Sequence, residues 1–144
     1  MKIGELATAS ATPVETIRYY EREGLLPQPT RTASNYRVYE EQHLERLQFI
    51  RNCRGLQMSL DEVRELLRYK DEPAQDCAET VDKLIEAHIG HVALRIQELR
   101  GLEAQLIALR DRCRGTQDVE HCGILAGLAE TPAAPAIKQH LHVR

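Results

Sequence analysis

Tryptophan is absent from this 144-residue sequence and phenylalanine occurs once, so tyrosine supplies five of its six aromatic side chains. A chain with so few large rings does not fill one wide globular core. No window approaches roughly eighteen consecutive apolar residues, which argues against a membrane-spanning helix, and no apolar signal segment opens the chain. A cytoplasmic protein with no membrane partner is expected. Four cysteines in that compartment are poor candidates for disulfides and require another role.

Charged residues make up 28% of the chain and hydrophobic ones 42%. With long Leu, Glu and Arg periodicities, that balance points to an all-α fold with a small β element. The net charge of −3 and pI near 6.1 do not by themselves indicate a nucleic-acid partner. Distribution says more: residues 1–70 carry 11 basic against 10 acidic side chains, and residues 71–144 carry 8 against 12. Any DNA contact therefore belongs to the first half and depends on a few placed cations. No nucleophile with an evident base, phosphate loop or paired-carboxylate motif stands out, so an enzyme ranks last among the function classes.

Along the chain, Lys2 to Ala9 reads as a short helix, and Thr12-Pro13-Val14-Glu15 reads as a capping box opening a second helix that ends at Gly24. Two short helices joined by a tight turn form the helix-turn-helix pattern, whose second helix enters the major groove. Turn formers from Pro27 to Ser34 and the alternation Asn35-Tyr36-Arg37-Val38-Tyr39 predict a small β wing. Helical spacing returns from Glu40 to Gly55, and Ser59-Leu60-Asp61-Glu62 opens another helix that stops before Pro73.

From Cys77 to Cys113 there is no proline, and Gly90 and Gly101 are the sole mid-helix breakers. With Val81 at d, the heptad seam runs through Ile85, His88, Val92, Arg95, Leu99, Leu102, Leu106, Leu109 and Cys113, and seven of these ten positions are aliphatic. One long helix has nothing of its own to bury such a stripe against, so a homodimer is expected. The organisation predicted is a winged helix-turn-helix with connecting helix over 1–72, a coiled-coil helix over 73–113, a metal-binding loop and short helix over 114–130, and a tail over 131–144.

Four of the five tyrosines lie between positions 19 and 39, interleaved with Arg18, Arg22, Arg31 and Arg37. Guanidinium forks and tyrosine hydroxyls suit docking onto phosphates, and Thr16 and Arg18 lie near the start of the second helix, where base edges are reached. The candidate DNA contacts are Thr16, Arg18, Tyr19, Tyr20, Arg31, Asn35, Tyr36 and Arg37. The alternative for Tyr19 and Tyr20 is a place in the core. Ile3-Gly4-Glu5-Leu6-Ala7, Thr16-Ile17-Arg18-Tyr19-Tyr20-Glu21, Gly24-Leu25-Leu26-Pro27 and Asn35-Tyr36-Arg37-Val38-Tyr39 together resemble the N-terminal signature of the MerR family of transcription regulators. The resemblance spans essentially residues 1–125. It implies a homodimer on a palindrome inside an overlong promoter spacer, which distorts the DNA on ligand binding so that RNA polymerase reads both promoter elements.

Cys77 and Cys113, at opposite ends of one helix, stand on the order of 54 Å apart, so they cannot share a ligand within one chain. If two such helices pair antiparallel, Cys77 of one subunit approaches Cys113 and Cys122 of the other, giving two three-thiolate sites per dimer. Three thiolates suit soft divalent ions, whereas a structural zinc site is more often closed and four-coordinate. Cys53, on an apolar helical face, reads as a buried small hydrophobe. Within the family, Asp76-Cys77 and the stretch Glu86 to Val92 resemble the lead and cadmium branch, implying Pb(II) or Cd(II) as effector. Mercury sensors share the three-cysteine layout, so Hg(II), or a broad response that includes Zn(II), stays open.

His88 and His91, at i and i+3, are either a second metal site, with Glu62 or the tail residue His140, or a polar patch in the seam. They stand roughly 16 Å or more along the helix from Cys77. His140 and His142 form a weak H-x-H pair, and His121 adjoins Cys122. The rival outside DNA binding is a metal-buffering protein, against which the complete recognition helix and wing argue.

Overall fold

The computed structural model describes residues 1–73, 77–113 and 122–130. They fall into two compact units, Met1–Leu84 and a second that begins at Ile85. The elements are α1 (Ile3–Ser10), α2 (Val14–Arg22), β1 (Thr30–Arg31), β2 (Arg37–Val38), α3 (Glu41–Gly55), α4 (Leu60–Asp71), α5 (Cys77–Asp111) and α6 (Gly123–Glu130). The expected class, helical with one small β wing, is the one observed. Among the described residues no helix is long and apolar enough to cross a membrane.

In the first unit α1 packs on α2 and α3, and α3 packs on α4. Leu6, Ile17, Leu47, Ile50 and Val63 meet in that packing with no exposure at all. Each such side chain contributes roughly 1.5–3 kcal/mol relative to leaving it in water. The helices stop by a common device. Thr12 N–H bonds to Ala7 O and Ala11 N–H to Thr8 O; Leu25 bonds to Tyr20 and Gly24 to Glu21; Met58 bonds to Cys53 and Gln57 to Arg54. This is the Schellman arrangement, and it places Ala11 (φ 51°), Gly24 (φ 75°) and Gln57 (φ 64°) in the left-handed region. Only one of those positions is a glycine, so α1 and α3 end with a side chain in strained backbone.

The first of these turns corrects one expectation. Thr12 does not cap α2: its N–H serves the end of α1, its hydroxyl donates to Ser10 O, and Pro13 holds the cap position. The interhelical turn is so short that Thr12 is consumed by the helix before it. Ser59 behaves as expected, accepting from Glu62 N–H while the Glu62 carboxylate accepts from Ser59 N–H. At α3 the reciprocal bond comes from a histidine, with Glu40 N–H donating to His43 Nδ1 and His43 Nε2 facing Pro27 O at 3.2 Å.

The wing pairs β1 and β2 antiparallel, Thr30 opposite Val38 and Arg31 opposite Arg37. Its base is fixed by Tyr39, 1% exposed, whose hydroxyl donates to the buried Glu21 carboxylate at 2.5 Å and whose ring meets His43 edge-on at 5.3 Å. Burial, then the bond to Glu21, pushes the Tyr39 phenol up to about 12.

On α5 the expected seam divides. The a positions Val92, Leu99 and Leu106 are exposed, as are Ile89 and Ile96 at e, whereas His88 is buried and Arg95, Leu102 and Leu109, all at d, are half-buried. Leu94 and Ile107 are exposed as well, so within one chain the most open apolar side chains of α5 run mainly along a and e.

Candidate nucleic-acid interface and metal centre

The recognition helix α2 buries Ile17, Tyr20 and Glu21, which leaves Arg18 exposed and Thr16 and Tyr19 half-exposed on the other faces. Arg18 lies 3.6 Å from Glu15, a long surface pair of the kind that contributes little and is readily exchanged for a phosphate. Tyr20 departs from the group in which the sequence placed it. At 6% exposure its ring belongs to the core, and burial raises its phenol against the opposing pull of Arg54. Burial likewise lowers the Arg54 guanidinium, which donates to Met58 O at 2.7 Å.

The wing presents its cations by design of the turn. Asn35, at φ 68°, closes the reversal with its N–H on Thr32 O, and its side-chain oxygen accepts from Arg31 Nη1 at 3.1 Å. Asn tolerates this left-handed backbone, so the residue that makes the turn also aims a guanidinium. Arg31 and Arg37 then face each other across the sheet, both exposed. Like charges in that register repel, and an anion between them removes the repulsion. Tyr36, 69% exposed, stands beside them.

Two arginines that sequence reasoning passed over hold the C-terminal end of α2. Arg46 donates from Nε to Leu25 O at 2.6 Å and grips Asp71 with both terminal nitrogens, at 2.7 and 2.9 Å. Those hydrogen bonds hold the Asp71 carboxyl below the usual carboxylate range. Arg64 reaches Glu23, at its carbonyl and its carboxylate, and also Asp61. The signal for such pairs lies in side-chain reach across the fold and leaves no periodic trace in the sequence.

Cys53 is 7% exposed and burial pushes its thiol up, as suits an inert core residue. Cys77 is the first residue of α5, with its Sγ 3.9 Å from Tyr69 O. Cys113 follows the end of α5 and is exposed, and Cys122, half-buried, caps α6 through the bond from Ala126 N–H to Cys122 O. Cys77 thus stands a full helix length along the chain from Cys113. Around the second end, α6 lies close on α5: Gly127 is buried, and Arg112 Nη2 reaches Glu130 at 3.5 Å. Three soft donors at helix ends fit a thiophilic ion.

His88 is buried and His91 exposed, with rings edge-to-face at 6.1 Å. Glu62 is engaged in the cap of α4. His121, His140 and His142 lie outside the described residues.

The chain matches two family models, a MerR helix-turn-helix regulatory protein over residues 1–70 and a MerR DNA-binding region over residues 44–109. It is 50% identical over 112 residues to a Haemophilus influenzae protein described as an HTH-type transcriptional regulator ZntR homolog, covering 78% of this chain and 82% of that one. Among solved structures it is similar to the transcription regulator PbrR691 from Ralstonia metallidurans CH34 in complex with lead(II). That match has 48% identity and a TM-score of 0.78, and covers 89% and 98% of the two chains. The dual function regulator MerR from Bacillus megaterium MB1, in complex with mercury(II), matches at 33% identity and a TM-score of 0.69, covering 90% and 100%.

Proposed function

The chain belongs to the MerR family of helix-turn-helix regulatory proteins, and from that premise we propose that it switches transcription in response to Pb(II) or Cd(II). It is a regulator and not an enzyme, and it works as a dimer on promoter DNA. In our reading residues 1–72 dock on DNA, residues 73–113 join the subunits, and residues 114–130 hold the effector. The observation that carries the metal site is the placement of three thiols at helix ends: Cys77 opening α5, Cys113 following its end and Cys122 capping α6. When two α5 helices run antiparallel, Cys77 of the partner subunit comes to Cys113 and Cys122, and each dimer has two such sites. The bound ion supplies metal–thiolate bonds that link the subunits.

At the output end, Thr16, Arg18 and Tyr19 of α2 and the wing cations Arg31 and Arg37, with Asn35 and Tyr36, hold the duplex. The orienting bonds of Arg46 and Arg64 tie α2 to α3 and α4, so a shift of the connecting helix α4 is passed to the DNA-contacting surface. Distortion of the bound promoter then presents its two elements to RNA polymerase. The preference for lead is supported by the 48% identity to the lead-bound regulator. A mercury response is the second reading, favoured by the likeness to the mercury-bound regulator. His88, buried at the d position, and His91 beside it form either a second metal site or a polar patch in the seam.

The reduced dimer on its promoter is titrated with Pb(II), Cd(II), Hg(II) and Zn(II) while DNA distortion is followed. The reading expects Pb(II) or Cd(II) to act at the lowest concentration, and it fails if none of the four alters the bound DNA. Mixing Cys77→Ser with Cys113→Ser chains tests the shared site. The heterodimer should keep one working site, whereas each mutant homodimer has none.

A further inference from the structure

Gly123 opens α6 immediately after Cys122, and its closest approach is to Arg112, immediately before Cys113. A side chain there has no room. A Cβ built on Gly123 would fall deep inside the van der Waals radius of the Arg112 carbonyl oxygen, 2.7 Å from the carbonyl carbon and 3.1 Å from the Arg112 Cβ. Two of those three atoms are main chain, so the clash cannot be relieved by turning a side chain. Gly127, one helical turn on, is less constrained. Its added Cβ would meet the mobile Arg112 Nη1 at 2.5 Å and Leu109 Cδ2 at 2.9 Å.

Backbone freedom does not explain Gly123. Among the described residues Gly24 is the one glycine at positive φ, and Gly123 is the first residue of α6, where an L side chain meets no backbone strain. Space, and not backbone conformation, is what selects glycine at this position. We propose that Gly123 is a positioning residue of the sensor: by letting the start of α6 touch the end of α5, it sets the separation of the Cys113 and Cys122 thiols. This rests on the thiolate reading above. Metal–ligand distances tolerate only about 0.2 Å, whereas restoring ordinary contact at Gly123 requires a backbone displacement of several times that.

The test uses the full-length reduced dimer with Pb(II) as probe, read by the lead–thiolate charge-transfer absorption and, separately, by promoter binding without metal. Gly123→Ala should weaken Pb(II) binding at least about tenfold, the range seen when support for metal ligands is removed. Its helix content should be unchanged or slightly higher, with metal-free promoter binding intact. Gly101→Ala, where nothing lies within 4 Å of the added carbon, should leave Pb(II) binding as it is. Adding Arg112→Ala should not rescue Gly123→Ala, because the obstructing oxygen is main chain.

If Gly123→Ala binds Pb(II) within about twofold of wild type, the positioning role is wrong while the thiolate site stands. If it also loses promoter binding, the glycine serves the arm as a whole and the proposal falls. If wild type and Cys113→Ser both lack the charge-transfer band, the thiolate site itself is wrong and this inference falls with it.

Discussion

In the unit formed by Met1–Leu84, Leu6, Ile17, Leu47, Ile50 and Val63 are wholly withdrawn from solvent, whereas along α5 Ile89 is 63% exposed, Leu99 48% and Leu106 66%. The same residue types thus meet two different ends. Short helices that reverse direction can close an apolar core on themselves, and a single straight helix cannot. The first unit closes its core within one chain, whereas α5 leaves large apolar side chains open to solvent. In the dimer proposed above, the exposed stripe at 89, 92, 96, 99 and 106 is the face offered to a second copy.

The largest effect expected from this contrast is at the stripe. Leu99→Glu places a carboxylate in a seam that loses its water on association, at a cost of several kcal/mol, so dimerisation should weaken at least about a hundredfold in sedimentation equilibrium. The helical content of the first unit should persist. A dimer of unchanged affinity would move the interface off the a and e positions.

Leu47→Ala attacks the other region. It should reduce stability to urea by about 2–5 kcal/mol through lost burial and an unfilled cavity, while the dissociation constant of the folded dimer stays within a fewfold of wild type. Equal damage to both would mean that the two regions are one cooperative unit.

Tyr39→Phe should cost about 1–3 kcal/mol, since the Glu21 carboxylate loses a buried donor. This tyrosine also predicts a pH effect. Its folded pKa, near 12, lies above the ordinary value of 10.0, so the native state keeps a proton that the unfolded chain releases. Its contribution is complete below pH 10 and is lost as pH rises toward 12. Tyr20 and Cys53, raised by burial, act in the same direction. Alkaline unfolding should be shallower in the Tyr39→Phe protein, and an unchanged profile would remove Tyr39 from that account.

The smallest effects are at the helix ends. Ala11→Gly and Gln57→Gly relieve left-handed strain and should each raise stability by about 0.5–1 kcal/mol. Gly24→Ala should lower it by a similar amount. A loss at Ala11→Gly would show that the methyl group packs usefully at the turn.

Much of this architecture was legible from residue spacing. The capping pair Ser59 and Glu62 located α4, the absence of proline from 77 to 113 located α5, and the turn residues before Asn35 located the wing. Thr12 misled because two helix termini compete for one residue in a short turn, and the end of α1 takes it. His43 went unnoticed because imidazole substitutes for the carboxylate or amide usual at that capping position. In the candidate site, the three cysteines stood out by type. Tyr20 could not be separated from Tyr19 until burial distinguished two adjacent rings.

By itself, then, the sequence determined what is local: helix periods, most caps, the turn of the wing, and that two thiols end up at opposite ends of one long helix. Such features depend on backbone dihedrals and on neighbours within a few residues. Only the tertiary structure decided which apolar positions of α5 remain open, that Arg46 and Arg64 hold the end of the recognition helix, and that Gly123 admits α6 to the end of α5. Those outcomes depend on the space and reach between elements distant in sequence, and no repeat along the chain encodes a distance across it.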